Sequence, residues 1–265
     1  MSRVPLVLCA YLDPREAADA VAAPIADAVN IPLAELPDRT HELPPRTDVI
    51  PVVGPPPVAC AAVQWLADNG RHAFVQGDYE HTQPPPASSL RRLWRPNAFV
   101  ARVIASLPPA HALDLACGSG RDAVYLASCG WHVTGVDLLP DALERAAALT
   151  RRLAPALESL QWIELDLERD TVTLPARYDL ITGVRYLHRP LFARLSEWLA
   201  PGGSVIWETF TTLHRKRHGR PVGAAHVLTP DELPTLIPPE LEIVYHSEGW
   251  HDDAHTARLW ARRRA

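Results

Sequence analysis

Carboxylates and glycines lie close together in residues 112–122. Asp114 is the only acid in an apolar run, and Gly118 and Gly120 follow directly after that run. Glycine has no Cβ, so this backbone can turn tightly and lie against a ligand. Asp137 ends the next apolar segment, where a carboxylate can accept hydrogen bonds from ribose hydroxyls. The residue types and their spacing predict a nucleoside-binding site.

The elements that would position these residues are a strand, a glycine turn, a helix and a second strand. Residues 112–117 read as a buried strand, and an amphipathic run begins at Arg121. Residues 132–137 read as the next strand. A helix that begins at the turn directs free N–H groups at a ligand above the sheet.

The spacing also bears on which nucleoside is bound. A dinucleotide fingerprint has glycine at a third position, which is Ala123 here. The carboxylate of Asp114 inside the strand would repel a pyrophosphate and attract a cation. The pattern therefore favours a cationic nucleoside, and the alternative is a turn of this kind that binds nothing.

The segment D-x-A-C-G-S-G-R-D at residues 114–122 resembles the S-adenosylmethionine loop of class I methyltransferases. The resemblance implies a Rossmann-like α/β domain with seven strands and S-adenosyl-L-methionine as cofactor. It places Asp114 near the methionine amino end, Asp137 near the ribose and Asp166 near the adenine amine. The full set of expected cofactor-binding residues is Asp114, Ala116, Gly118, Ser119, Gly120, Asp137, Leu138, Asp166, Leu167 and Val184.

The methyl acceptor is expected at the loops after the fourth and fifth strands of this domain, because ligands bind at the carboxyl ends of such strands. Arg185, Tyr186 and His188 are the predicted catalytic residues, with His188 as the general base. No metal is required or predicted. The basic, histidine-containing segment 210–228 is predicted to be an active-site flap. Further candidates for the acceptor site are Arg189, Glu208, Thr209, His214, Arg217, His218 and His226.

The first 81 residues resemble a rhodanese-like domain. Leu12-Asp13-Pro14-Arg15-Glu16 and Ala28-Val29-Asn30-Ile31-Pro32-Leu33 match motifs of that family. In the family, a cysteine begins the loop that follows the strand predicted at 50–53. Here residues 53–58 hold neither Cys nor Arg, and Cys60 lies inside the next predicted helix. We therefore expect no sulfurtransferase activity and a structural or docking role.

Composition sets the remaining expectations. The predicted organisation is an α/β chain with a rhodanese-like domain at 1–81, a Pro/Ser-rich linker at 82–95 and a methyltransferase domain at 96–265. A net charge of -5 argues against a nucleic-acid partner. No signal peptide or membrane-length apolar run is evident, so we expect a cytoplasmic protein without a membrane partner.

Three functions are compatible with these patterns. The first is methyl transfer to a small molecule. The D-L-x-C-G-x-G-R motif and the Y-L-A that follows it resemble the tellurite-resistance type of methyltransferase. This resemblance implies a thiol or a chalcogen oxyanion as the methyl acceptor. The second is a cofactor-binding scaffold without catalysis. The third is methylation of tRNA or protein, with the first domain docking the partner.

Overall fold

The computed structural model describes residues 6–83, 90–153, 160–169, 173–174 and 177–264. The chain divides into two compact units, with the boundary between Arg95 and Pro96. None of the described helices combines the length and the apolar character that crossing a membrane requires. Within the same ranges, no three His, Cys, Asp or Glu residues come together in a way that could hold a metal ion.

The first unit is a small α/β structure. Its elements are β1 (Leu6–Leu8), β2 (Tyr11–Asp13), α1 (Ala17–Ala22), β3 (Ala28–Asn30), β4 (Val49–Val52), α2 (Pro56–Asp68), β5 (His72–Val75) and β6 (Leu90–Arg92). Four strands form a parallel sheet in the order β3-β2-β4-β5, and β1 pairs separately with β6. Leu12, Ile50 and Leu66 are buried in its core, which the apolar face of α2 covers.

Two local sequence patterns in this unit predict more regular structure than is present. The apolar run 4–9 predicts a buried strand, but Val7 and Leu8 of β1 are exposed, and residues 4 and 5 lie outside the described part of the chain. The Ala-rich run 13–28, which Pro24 interrupts, predicts a helix, but only the six-residue α1 forms, because Asp13 ends β2, where both its carboxylate oxygens bind Arg15. The expected linker 82–95 contains β6; its residues 84–89 lie outside the described part of the chain.

The second unit contains a larger sheet with flanking helices. Its elements are α3 (Ala98–Ile104), β7 (His111–Leu115), α4 (Arg121–Ser128), β8 (His132–Asp137), α5 (Pro140–Leu153), β9 (Leu160–Glu164), β10 (Tyr178–Val184), α6 (Arg189–Phe192), α7 (Leu195–Trp198), β11 (Leu199–Phe210), α8 (Thr212–His218), α9 (Glu232–Thr235), β12 (Leu241–His251) and β13 (Ala254–Arg263).

The strand order in this sheet is β12-β13-β11-β10-β7-β8-β9. Five neighbouring strands, β9, β8, β7, β10 and β11, run parallel to one another. Strand β13 runs antiparallel to both of its neighbours, β11 and β12. The chain leaves β7 towards β8 and returns on its other side as β10, so the strand order reverses between β7 and β10. Ligands of such sheets bind at that reversal, outside the carboxyl ends of the strands. Buried parallel strands explain the nearly continuous apolar runs in the sequence.

Apolar periodicity predicts a strand over 132–137, a helix over 140–153 and a strand over 178–184, and β8, α5 and β10 have these bounds. Two further patterns predict elements that the structure does not have. The apolar run 191–199 predicts one helix, which is split into α6 and α7. The Ala-Pro-Gly-Gly segment 200–203 predicts a turn, but it lies inside the long strand β11, with Gly202 at a φ of 74°.

Candidate active site

The loop between β7 and α4 uses left-handed backbone conformations. Ala116, Gly118 and Gly120 have φ values of 54°, 55° and 77°. At Gly120 a Cβ atom would also come within 2.6 Å of the Trp162 ring. The glycine at this position is therefore required both by its conformation and by the close approach of the neighbouring side chain. The half-buried Ser119 lies in the same loop.

Asp137 is fixed at the carboxyl end of β8. Its carboxylate accepts hydrogen bonds from the backbone N–H groups of Gly118 at 2.8 Å and Leu139 at 2.9 Å. These two bonds join the glycine loop to the start of α5 and orient the carboxylate. A carboxylate has about four acceptor positions, so Asp137 keeps capacity for the hydroxyl groups of a ligand.

Asp114 is a buried acid whose carboxylate has no cationic partner among the described residues. It is 2% exposed, and the Thr182 hydroxyl donates a hydrogen bond to it at 2.8 Å. Burial raises the pKa of Asp114 to about 8, and the nearby carboxylates of Asp122 and Asp137 add to this rise. A cation that entered the site would stabilise the ionised form.

Asp122 adds a further acid to this end of the sheet. Burial raises the pKa of Asp122, although the N–H of Asn97 donates to its carboxylate at 2.6 Å and the guanidinium groups of Arg121 and Arg185 lie nearby. The site therefore concentrates buried carboxylates near the glycine loop. This charge distribution favours a ligand with positive charge over a pyrophosphate.

The expected adenine-binding residues lie after β8 and β9. Leu138 is 53% exposed, so its side chain is free to cover a flat ring. Asp166 is half-buried and accepts hydrogen bonds from the Glu168 N–H at 3.0 Å and the Arg169 Nε at 3.1 Å. The side chain of Leu167 is buried in the hydrophobic core, so the expected contact of this residue with the cofactor would be made by its backbone.

The loop after β10 carries the predicted catalytic residues. Val184 ends the strand, and Arg185 follows with a φ of 58° while its N–H donates to the Glu208 carbonyl at 2.7 Å. The Tyr186 hydroxyl is buried without a hydrogen-bond partner among the described residues, and burial raises its pKa. Tyr186 is therefore a protonated donor at neutral pH. His188 is half-buried at the start of α6.

Two candidates for the acceptor site are instead parts of ion-pair networks. Arg189 binds both carboxylate oxygens of Glu232, at 2.5 and 3.0 Å, and this pairing is the main reason that the pKa of Glu232 falls to about 2. Glu208 is buried and accepts hydrogen bonds from Asn97, Thr256 and Arg258. Both side chains hold elements of the second unit together. Thr209 is buried and His226 is exposed.

The segment predicted to be a flap contains a helix packed on the sheet edge. The His214 ring stacks on Phe210 at a centroid distance of 4.1 Å, and His218 follows at 4.5 Å. The His255 N–H donates to Nδ1 of His214 at 3.4 Å, and burial lowers the pKa of His214. Arg217 lies over the Trp250 ring and pairs with an aspartate of the β12–β13 turn. These contacts attach α8, which forms part of the predicted active-site flap, to the sheet.

Sequence reasoning missed three residues that support the site. Thr182 binds Asp114 from the neighbouring strand, and nothing in the sequence marks it, since a threonine inside an apolar strand is ordinary. Asp122 lies inside the recognised motif but was not given a role. Asn97 caps α3, which is a readable signal, but its bond to Glu208 links residues 111 positions apart.

Comparison with known proteins agrees with this geometry. Residues 112–203 match the family model described as a methyltransferase domain. A probable thiol methyltransferase 2 from Arabidopsis thaliana is 31% identical over 123 residues, 43% of this chain and 53% of the relative. A ubiquinone biosynthesis O-methyltransferase from Albidiferax ferrireducens is 30% identical over 170 residues, 56% of this chain and 66% of the relative. The chain thus spans about half of the first relative and about two thirds of the second.

Solved structures share the fold of the second unit. The N-methyltransferase NodS from Bradyrhizobium japonicum gives a TM-score of 0.51 at 21% identity, with 63% of this chain and 93% of that chain covered. TehB from Haemophilus influenzae gives a TM-score of 0.51 at 19% identity, with 62% and 61% covered. The matched family model lies within the second unit. From the loop, the buried acids, the strand order and the family match, the second unit is a class I methyltransferase domain whose cofactor is S-adenosyl-L-methionine.

Proposed function

We propose that the protein transfers the methyl group of S-adenosyl-L-methionine to a small molecule, with a thiol or a chalcogen oxyanion as the acceptor class. The observation that carries the proposal is the burial of Asp114, which is 2% exposed and accepts a hydrogen bond from Thr182 but has no cationic partner among the described residues. A cationic ligand resolves that unfavourable arrangement. The similarity to the probable thiol methyltransferase 2 of Arabidopsis thaliana supports a thiol as the acceptor.

The described residues fit this cofactor. Asp114 would pair with the positive charge at the methionine end, Asp137 would accept hydrogen bonds from the ribose, and Asp166 would contact the adenine. When bound, S-adenosyl-L-methionine supplies a methyl group already activated on a sulfonium. The backbone of Ala116, Ser119 and Val184, and the side chain of Leu138, would complete the cofactor site.

The protein must also orient the acceptor and, when the acceptor is protonated, remove its proton. His188 is the proposed base, because imidazole is the most common general base in catalysis and His188 lies in the loop after β10. Arg185 would attract an anionic acceptor, and the buried Tyr186 hydroxyl would donate a hydrogen bond. The three residues are assigned together because all of them lie in the loop after β10. Each proposed role can be tested by substituting that residue alone.

We further propose that the first unit is a rhodanese-like domain without its catalytic cysteine. The side chain of Arg15 packs against Gly54 in the loop where a reactive thiol would stand, and Cys60 lies exposed on α2. Without a thiolate in that loop there is no carrier for sulfur. Its proposed role is structural or docking.

The test is a product assay with a panel of thiols, selenite and tellurite. Protein and S-adenosyl-L-methionine are incubated with each compound, and S-adenosylhomocysteine is measured by mass spectrometry. We expect acceptor-dependent product, and much less of it from the Asp114→Asn variant at a cofactor concentration that does not saturate that variant. Cofactor binding without product from any compound, or from extracted metabolites, would favour the scaffold function instead.

A further inference from the structure

Helix α8 presents two different faces. His214 and His218 are one turn apart and stack towards Phe210 and Trp250. Arg215 and Lys216 lie between them in sequence, so the helix geometry turns both cations away from the stack. The aromatic contacts thus fix the direction in which the two basic side chains point.

A groove of about 390 Å³ lies beside this basic face. It is lined by Thr212, Arg215, Lys216, Gly219 and Val222. Neither Arg215 nor Lys216 has an ion pair or a side-chain hydrogen bond within the described part of the chain, and no described lining residue is acidic. Val222 is 79% exposed and offers an apolar wall. The groove combines unpaired positive charge with room for a small molecule.

We propose that this groove binds an anionic group, a carboxylate or a phosphate, of the methyl acceptor. An arginine and a lysine provide a forked donor and a point charge, which together suit either kind of oxyanion. The assignment to the acceptor rests on the proposed function. Anion binding in the groove stands on the geometry of α8 alone.

Helix α8 lies beyond the carboxyl end of β11. It begins two residues after that strand ends, and β10 separates β11 from β7 in the sheet. Ligands of such sheets bind outside the carboxyl ends of the strands, so the groove follows an end of the sheet at which an acceptor is expected.

The experiment uses the fact that Lys216 is the only lysine in the sequence. A propionyl N-hydroxysuccinimide ester modifies two kinds of amine in the full chain, Lys216 and the amino terminus, and mass spectrometry separates them. We expect inorganic phosphate or acetate to slow modification of Lys216 several-fold relative to chloride at equal ionic strength. The amino terminus should react at an unchanged rate, and whichever anion protects more identifies the group.

Two variants make the test specific. Arg215→Gln should abolish most of the protection, whereas Arg145→Gln, which makes the same charge change on the exposed part of α5, should leave it intact. Equal rates in phosphate, acetate and chloride would overturn the inference. Protection by a short RNA together with none from phosphate or acetate would overturn the assignment to a small molecule.

Cofactor binding is measured separately by calorimetry, so the two proposals fail in different ways. Protection of Lys216 in a protein that does not bind S-adenosyl-L-methionine would contradict the methyltransferase function and leave an anion site. Cofactor binding without protection would contradict the groove alone.

Discussion

At the scale of single residues, Asp114 links stability to cofactor binding. Its pKa rises from 3.8 to about 8 in the folded chain. Between these two pH values the folded state binds more protons at this site than the unfolded state does. Its contribution to the free energy of unfolding therefore falls as pH rises from about 4 to 8. Ionised Asp114 therefore destabilises the cofactor-free protein, and the same buried negative charge would attract a cation.

We expect Asp114→Asn to reverse both effects. The amide keeps an oxygen to accept the Thr182 hydroxyl, while the buried negative charge is removed. Relative to wild type, the variant should gain on the order of 1 kcal/mol in unfolding free energy at pH 9 and little at pH 5. Cofactor affinity should fall by about 10- to 100-fold, as expected for loss of a buried charge pair. Thermal unfolding at both pH values checks the first effect, and a lower stability at pH 9 would contradict it.

His188 is the residue whose role is chemical in the proposed mechanism. We expect His188→Gln to lower kcat by about 100-fold, the usual contribution of a general base, with cofactor affinity unchanged. His72→Gln, at an exposed position of β5 in the first unit, serves as the control. Steady-state kinetics with the best acceptor from the panel measures both. Wild-type turnover in His188→Gln would remove this residue as the base.

At the scale of elements, the packing of β10 on β11 positions the loop with the catalytic candidates. A Cβ atom on Gly183 would come within 2.5 Å of the fully buried Trp207 ring. The same indole donates a hydrogen bond to the Tyr186 carbonyl at 3.0 Å. Displacing the indole would therefore move the loop that follows β10.

We expect Gly183→Ala to destabilise the protein by about 1–3 kcal/mol, since overpacking a filled core has that cost. Turnover should fall as well, because Tyr186 loses its anchor. Gly249→Ala is the matched control: no atom lies within 4 Å of its added Cβ. Chemical denaturation of the two variants compares them directly, and equal stability would show that the tryptophan moves at no cost.

The elements show which parts of the structure are readable from sequence. The bounds of β8, α5 and β10 follow from local apolar periodicity, and the glycine loop follows from its spacing. The ion pair of Arg189 with Glu232 and the stack of His214 on Phe210 could not be predicted from the sequence. The ion pair joins residues 43 positions apart, and the stack depends on how α8 is oriented on the sheet. The sequence of segment 210–228 shows which residues are basic, but it does not show which groups each of them contacts.

At the scale of the whole molecule, the two units differ in the chemistry they retain. The second unit keeps its buried acids and glycine loop, while the first has Gly54 and prolines where a rhodanese-like domain carries a thiol. Cys60 is exposed on α2, and burial raises the pKa of Cys9 to about 11, so Cys9 stays a poor nucleophile.

We therefore expect the full chain to form no thiocyanate from thiosulfate and cyanide. Cys60→Ser is the control, since Cys60 is the exposed thiol nearest in sequence to that loop. The colorimetric assay for thiocyanate provides the measurement. Production of thiocyanate by wild type and its loss in Cys60→Ser would show that the helix cysteine has replaced the missing one.

The central claim is that the carboxylates around the glycine loop bind a cationic cofactor, and calorimetric titration with S-adenosyl-L-methionine tests it most directly. Near pH 7 the pKa of about 8 leaves Asp114 mostly protonated in the free protein, so binding should release a proton. The binding heat should then depend on the ionisation enthalpy of the buffer. We expect saturable binding at one site, weakened at least about tenfold in Asp137→Ala, which loses the ribose acceptor and the anchor of Gly118. No saturable binding by wild type, or equal affinity in Asp137→Ala, would contradict the account.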